Sequence, residues 1–242
     1  LRHAAITKCG FTGIPSGTMS DEPSGAAHTA LTEAQVKSLL RERGVTTTDF
    51  RLPSRDQLAE MDLKYPVAVK VCSPKVLHKT EVGGVFLDVP DAAALEERYD
   101  QIMERFPDAQ VLVESMEPRG PEAILGVIQD HDFGPSIMFG MGGVMTELYK
   151  DVTFRTLPIT RYDAQEMTEE TKVDEFFKGF RGMHADRESI VRLLLAVSTM
   201  AVEMSGRLSQ LDLNPIILRE NGYVVVDAKM VLRNGNRIPS GE

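Results

Sequence analysis

The sequence predicts an α+β fold in which two lobes share a cleft. Up to Met116, amphipathic helical stretches alternate with short β-branched runs. After Glu122 the pattern turns to strands joined by tight turns, with Asn221-Gly222 as a strong hairpin signal. No polar linker interrupts Leu31 to Leu232, so any two lobes would lie against each other. The chain has 242 residues, 42% hydrophobic and 26% charged, enough for one large or two modest cores.

Each element has its own local signal. Residues 1–30 are rich in Gly, Ser, Thr and Pro without periodicity. They read as a disordered leader or an added tail, with Met19 a plausible true start. Thr32-Glu33-Ala34-Gln35 reads as a helix start, with Val36, Leu39 and Leu40 on one face and Gly44 at the end. Val45 to Leu52 reads as a strand, and Ser54 to Met61 as a short helix capped by Ser54. Val67–Val71 and Val85–Val89 read as strands, and Asp91 to Phe106 as an amphipathic helix. Strands follow at Gln110–Met116, Glu122–Gln129 and Pro135–Phe139. Asp163–Thr168, Val173–Phe177 and Arg187–Met204 read as helices. Arg207–Leu213, Ile216–Arg219 and Tyr223–Leu232 close the chain as strands, and 233–242 form a tail.

Composition narrows the function. A net charge of -9 argues against non-specific binding of nucleic acid. No apolar stretch reaches membrane-spanning length, and none has the order of a secretion signal. Cys9 and Cys72 make neither a metal spacing nor a disulfide framework, which points to a reducing cytoplasm.

The most informative stretch is V-A-V-K-V-C-S-P-K-V-L-H-K-T-E-V-G-G-V, Val67 to Val85. Lys70 lies inside a buried-type strand, where an ammonium is costly unless it reaches an anion, and a phosphate would serve. His78 follows on a loop, and Gly83-Gly84 permits close backbone approach. Downstream, the strand ending in Glu114-Ser115-Met116 can present backbone groups to an adenine edge, and a carboxylate such as Glu122 can accept from ribose hydroxyls. Phe139-Gly140-Met141-Gly142-Gly143, followed by Glu147 and Asp151, can turn amides toward a phosphate. In Leu211-Asp212-Leu213-Asn214-Pro215, alternation puts Asp212 and Asn214 on one face. The Asn221-Gly222 turn would fold Asp227 back beside them. Such hard oxygens suit Mg²⁺, which takes few protein ligands plus waters and phosphate oxygens.

Taken together, these segments resemble the ATP-grasp β subunit of ADP-forming acyl-CoA synthetases, related to the β subunit of succinyl-CoA synthetase. The resemblance spans about Leu31 to Leu232. It rests on S-P-K-V-L-H-K-T-E-V-G-G-V, D-H-D-F-G-P-S-I-M-F-G-M-G-G, F-K-G-F-R-G, L-D-L-N-P and V-D-A-K in that order. It implies an ATP-grasp domain over 31–232, with a small lobe at roughly 45–115 inserted in the nucleotide-binding unit. By resemblance, Lys70 contacts ATP phosphates, Glu114 and Met116 lie at the adenine hinge mainly through backbone, and Glu122 meets the ribose. Asn214 and Asp227 bind Mg²⁺, Asp212 sits beside the phosphoryl path, His78 carries phosphate transiently, and Gly142 and Gly143 lie near that phosphate. One departure is Gln210, where many relatives are acidic.

The implied reaction is acyl-CoA + ADP + phosphate ⇌ carboxylate + CoA + ATP. A CoA-binding α subunit with its own phosphohistidine would supply the other half, in an assembly that the resemblance suggests is α₂β₂. The alternatives are a regulatory or scaffold module, as in synthetase-like regions of protein acetyltransferases, and a ligase that works without phosphohistidine. His131 and His184 are the rival histidines.

Overall fold

The structure is a computed structural model that describes residues 28–76, 78–130, 134–143 and 151–233. Most of the leader, with Cys9 and Met19, and the tail from 234 lie outside them. His28–Ala30, assigned by composition to the leader, instead form strand β1, paired with the last strand.

Two antiparallel sheets organise the chain. The small sheet contains β2 (Phe50–Arg51), β3 (Val67–Cys72), β4 (Val85–Val89) and β5 (Gln110–Ser115), in the order β2-β5-β3-β4. A 3₁₀ turn, Arg55–Glu60, and helix α2 (Ala92–Arg105) cover it, burying Val69, Val71, Leu95 and Ile102. The large, seven-stranded sheet contains β1, β6 (Glu122–Asp130), β7 (Gly134–Met141), β8 (Val152–Thr156), β9 (Leu208–Arg219), β10 (Gly222–Val225) and β11 (Ala228–Arg233). Its order is β1-β11-β9-β6-β7-β8, with β10 also on β9.

Three helices share the large core: α1 (Glu33–Arg41), α3 (Arg161–Glu169) and α5 (Arg187–Glu203). A short α4 (Asp174–Phe177) lies between the last two. In α1, Thr32 and Gln35 form a reciprocal capping box, and Val36 and Leu40 are fully buried. Each such side chain contributes about 1.5–3 kcal/mol by leaving water. Ala34 on the same helix packs with Cys72 and Leu112 of the small sheet. Helix α1 therefore touches both sheets, and its first turn lies where they meet.

Several elements differ from the sequence reading through tertiary pairing; among them, the strands expected at Arg207–Leu213 and Ile216–Arg219 form one continuous β9. The strand expected over Val45 to Leu52 is reduced to Phe50–Arg51. The segment changes sheets midway: residues around Thr47 bond to Val225, whereas Phe50 pairs with Glu114. The strand expected over Tyr223 to Leu232 breaks at Val226-Asp227. Opposite the break stands Pro215, whose ring nitrogen has no hydrogen to donate to the ladder. Strand β8 lies outside the strands expected from the sequence. It is a short edge strand, ordered by pairing with β7. No helix among the described residues is long and apolar enough to cross a membrane.

Candidate functional site

Where α1, the small sheet and the β10–β11 junction meet, six charged side chains interlock. Lys37, fully buried, lies 2.8 Å from Glu33 Oε1 and donates to Thr48 Oγ1 at 2.8 Å. Its third partner is Glu114 Oε2, which also accepts from Thr48 Oγ1 at 2.6 Å. Lys70 of β3 lies 3.1 Å from Glu33 Oε1 and pairs with Glu114 Oε1. Lys79, on the turn after β3, pairs with Glu33 Oε2 and with Asp227 Oδ1 at 3.0 Å. Three ammoniums thus meet three carboxylates, and the group is neutral as a whole.

The mutual attraction opposes the effect of burial on Glu33, Lys70 and Lys79. Burial alone would push Glu33 up, but Lys70, Lys37 and Lys79 hold it well below the usual carboxylate range. Burial would push Lys70 down, and Glu33, Glu114 and Asp227 reverse the direction. Lys79 is raised in the same way, against burial, by Asp227 and Glu33. Lys70 does reach an anion, as its strand position requires, and that anion is a pair of carboxylates.

A backbone detail ties the cluster to the large sheet. Val226 donates its amide to the Pro215 carbonyl at 3.0 Å, but proline cannot return the bond. The freed Val226 carbonyl accepts from Lys70 Nζ at 3.4 Å. One residue on, the Asp227 carbonyl accepts from the Asn214 amide at 3.1 Å. This places Asn214 beside Asp227. Leu211 and Leu213 face the core, and Asp212 and Asn214 face the other way, as the alternation predicts. The Asp212 carboxyl is pushed up to about 6 by burial, opposed by Lys229 and reinforced by Asp227.

His78 stands on the turn that carries Lys79. Its side chain is 36% exposed, with Nδ1 3.7 Å from Glu81 Oε1, so the ring is neither sealed in the core nor fully in solvent. The turn closes through Val82 N–H to the His78 carbonyl and Gly84 N–H to the Lys79 carbonyl. Gly84 is required there, since a Cβ would come within 2.4 Å of Val71 Cγ1.

The remaining expected residues form a second group along β6 and β7. A Cβ on Gly143 would lie 3.2 Å from Glu122 Oε2, and one on Gly142 would lie 2.8 Å from the Glu122 carbonyl carbon. Gly142 gives its amide to the Glu122 carbonyl at 2.7 Å, so that N–H serves the fold rather than pointing outward. Met116 begins the connection from β5 to β6. Arg219 straps that connection through Pro118 O and Glu117. Glu114 lies between Phe50 and Ala68 of the neighbouring strands, and its carboxylate is what holds Lys37 and Lys70. The exposed His184 ring packs over Gly179, and His131 and Glu147 lie outside the described residues.

Four members of the site escaped the sequence reading: Glu33, Lys37, Thr48 and Lys79. A signal existed for two of them. Glu33 and Lys37 fall in the same i, i+3, i+4, i+7 stripe as Val36 and Leu40, so charged residues interrupt an apolar face. Lys79 sits beside His78 in the quoted motif. Nothing local marks Thr48.

Comparison with known proteins adds the following. A family model described as an ATP-grasp domain matches residues 24–232. The β subunit of the ADP-forming acetate–CoA ligase II of Pyrococcus furiosus is 36% identical over 226 residues, covering 88% of this chain and 96% of that subunit. The dinucleotide-forming acetyl-coenzyme A synthetase 1 of Ca. Korarchaeum cryptofilum has been solved with coenzyme A and Mg-AMPPCP, its phosphohistidine segment pointing towards the nucleotide-binding site. That structure superposes with a TM-score of 0.73 at 36% identity, covering 84% of this chain and 93% of that one. The same enzyme with coenzyme A and acetyl-coenzyme A holds a phosphorylated phosphohistidine segment in the site I orientation. Here the TM-score is 0.74 at 34% identity, with 85% and 94% covered.

Proposed function

Because this chain belongs to the ATP-grasp family and, within it, to the β subunits of ADP-forming acetate–CoA ligases, which are acid–thiol ligases, we propose that it exchanges phosphoryl between a partner subunit and ADP through His78. An ATP-grasp domain binds nucleotide. The finer reading rests on one observation. A half-exposed imidazole stands on a turn whose next residue reaches, through Lys79, into a buried array of ammoniums and carboxylates.

In this reading a CoA-binding subunit forms an acyl phosphate and passes its phosphoryl to its own histidine. The His78 ring takes it next: a nitrogen–phosphorus bond breaks on the partner and one forms on His78. A β-phosphate oxygen of ADP then displaces the His78 nitrogen, giving ATP and free imidazole. Neutral imidazole is nucleophilic near pH 7, and phosphoryl on nitrogen stays transferable. Lys70 is oriented by Glu33 and Glu114, and so offers a fixed positive charge for the transferred group at little reorganisation. Glu122, beside Gly143, and Met116, on the strapped connection, suit the ribose and adenine ends of the nucleotide.

The donor set fits a magnesium ion. Asp227 and Asn214 are adjacent hard-oxygen side chains, and a cation, the Lys79 ammonium, already pairs with Asp227 Oδ1. Among the described residues no three His, Cys, Asp or Glu converge as a metal cage. Mg²⁺ takes one or two protein ligands plus phosphate oxygens. Bound there, it would neutralise and align the phosphates.

The test is incubation of the chain with γ-labelled ATP and Mg²⁺. Acid-labile, base-stable label should appear on His78. His78→Ala should lose the label and net ATP synthesis with the native partner, yet keep nucleotide affinity. Label elsewhere, or unchanged turnover in His78→Ala, overturns the relay.

A further inference from the structure

Lys79 has no part in the chemistry described above, yet it is the side chain that connects the His78 turn to the rest of the site. It is 7% exposed, and its ammonium bridges Glu33 of α1 and Asp227 of the β10–β11 junction. His78 and Lys79 are adjacent, about 3.8 Å apart at Cα. Their side chains have opposite fates: one half in solvent, the other buried. The turn is also fastened at its far end, where Gly84 pairs with β3 through Val71 N–H at 2.8 Å. A small cleft beside Lys79 is lined by Glu33, Val71 and Lys229 among others.

We propose that Lys79 is a positioning residue that latches the His78 turn to Asp227 and Glu33, and that a divalent cation at Asp227 competes with the latch. The proposal rests on the reading of Asp227 as a metal ligand. Two cations then contend for one carboxylate, and each weakens the other's hold. When the divalent cation takes Asp227, Lys79 loses one of its two anchors and the turn is freed to move. Glu33 is not orphaned, because Lys37 and Lys70 remain on it. Reciprocity makes the idea quantitative: the factor by which the metal loosens the turn equals the factor by which the latch weakens the metal.

The experiment uses the whole chain without nucleotide. Mn²⁺ affinity is read from the electron paramagnetic resonance of the free ion, and exposure of His78 from its rate of carbethoxylation, located by mass spectrometry. In Lys79→Met, Mn²⁺ should bind at least about fivefold more tightly, the lower edge of ordinary coupling between sites. His78 should react faster without metal in that variant, and added Mn²⁺ should change its rate little. In the wild type, Mn²⁺ should speed the His78 reaction. Lys79→Arg, which keeps a cation, should resemble the wild type in Mn²⁺ affinity. Loss of Mn²⁺ binding in Asp227→Asn together with equal affinity in wild type and Lys79→Met overturns the latch alone. Unchanged Mn²⁺ binding in Asp227→Asn overturns the metal reading beneath it.

Discussion

Replacing Glu114 by glutamine keeps the shape of the side chain and removes one of three buried negative charges. The carboxylate is 1% exposed and receives Lys37, Lys70 and Thr48. Glutamine turns the neutral cluster into one with an unbalanced positive charge and points amide hydrogens at ammoniums. Breaking a buried pair this way costs about 3–5 kcal/mol. Lys37 and Lys70 both retain Glu33, at 2.8 and 3.1 Å, so the lower end, about 3 kcal/mol, is expected. With a urea m-value of about 3 kcal/mol/M, that lowers the unfolding midpoint by about 1 M. The chain has no Trp, so far-UV circular dichroism is the suitable probe. Adding Lys37→Met to Glu114→Gln removes a positive charge as well and restores parity. The double variant should therefore be less damaged than the two single losses combined, by about 1–3 kcal/mol. A Glu114→Gln midpoint within about 0.2 M of wild type, or strictly additive losses, would refute the view that charge balance holds this junction together.

Two more expectations follow from the same geometry. Glu33 is held below its ordinary 4.5 by its lysines despite burial, so its stabilisation is present above that pH and fades as pH falls further. Acid unfolding followed from pH 5 downward should be less steep in Glu33→Gln than in wild type, though the variant starts less stable at pH 7; parallel curves would count against the pairing. Gly84→Ala drives a Cβ to 2.4 Å from Val71 Cγ1 and 3.2 Å from the Lys79 carbonyl. It should lower stability by about 1–3 kcal/mol and slow labelling of His78; a thermal midpoint and labelling rate like wild type would show that the turn need not lie against β3.

The order of elements was legible because it is written in local signals. Alternation in Leu211-Asp212-Leu213-Asn214 gave the inward and outward faces of β9. The Thr32–Gln35 box gave the start of α1, and the Asn221-Gly222 pair gave the β9–β10 turn. The motif around Lys70 and His78 lies where the charged cluster forms. It could not disclose that the anions facing Lys70 are Glu33 and Glu114, which lie 37 and 44 residues away in the chain: Glu114 arrives when β5 pairs with β3, and Glu33 when α1 docks on the small sheet.

By itself, then, the sequence determined most of the helices and strands and the faces they bury, and it singled out residues whose groups suit phosphate and metal. Those properties depend on neighbours a few positions apart. The tertiary structure alone decided how the charges pair, that Pro215 leaves the Val226 carbonyl to Lys70, and that Lys79 reaches Asp227 while His78 stays half outside. Coulombic and hydrogen-bond partners are chosen by distance in space, and only the meeting of the two sheets at α1 brings Lys70 to Glu33 and the Val226 carbonyl, and Lys79 to Asp227, within 3.4 Å.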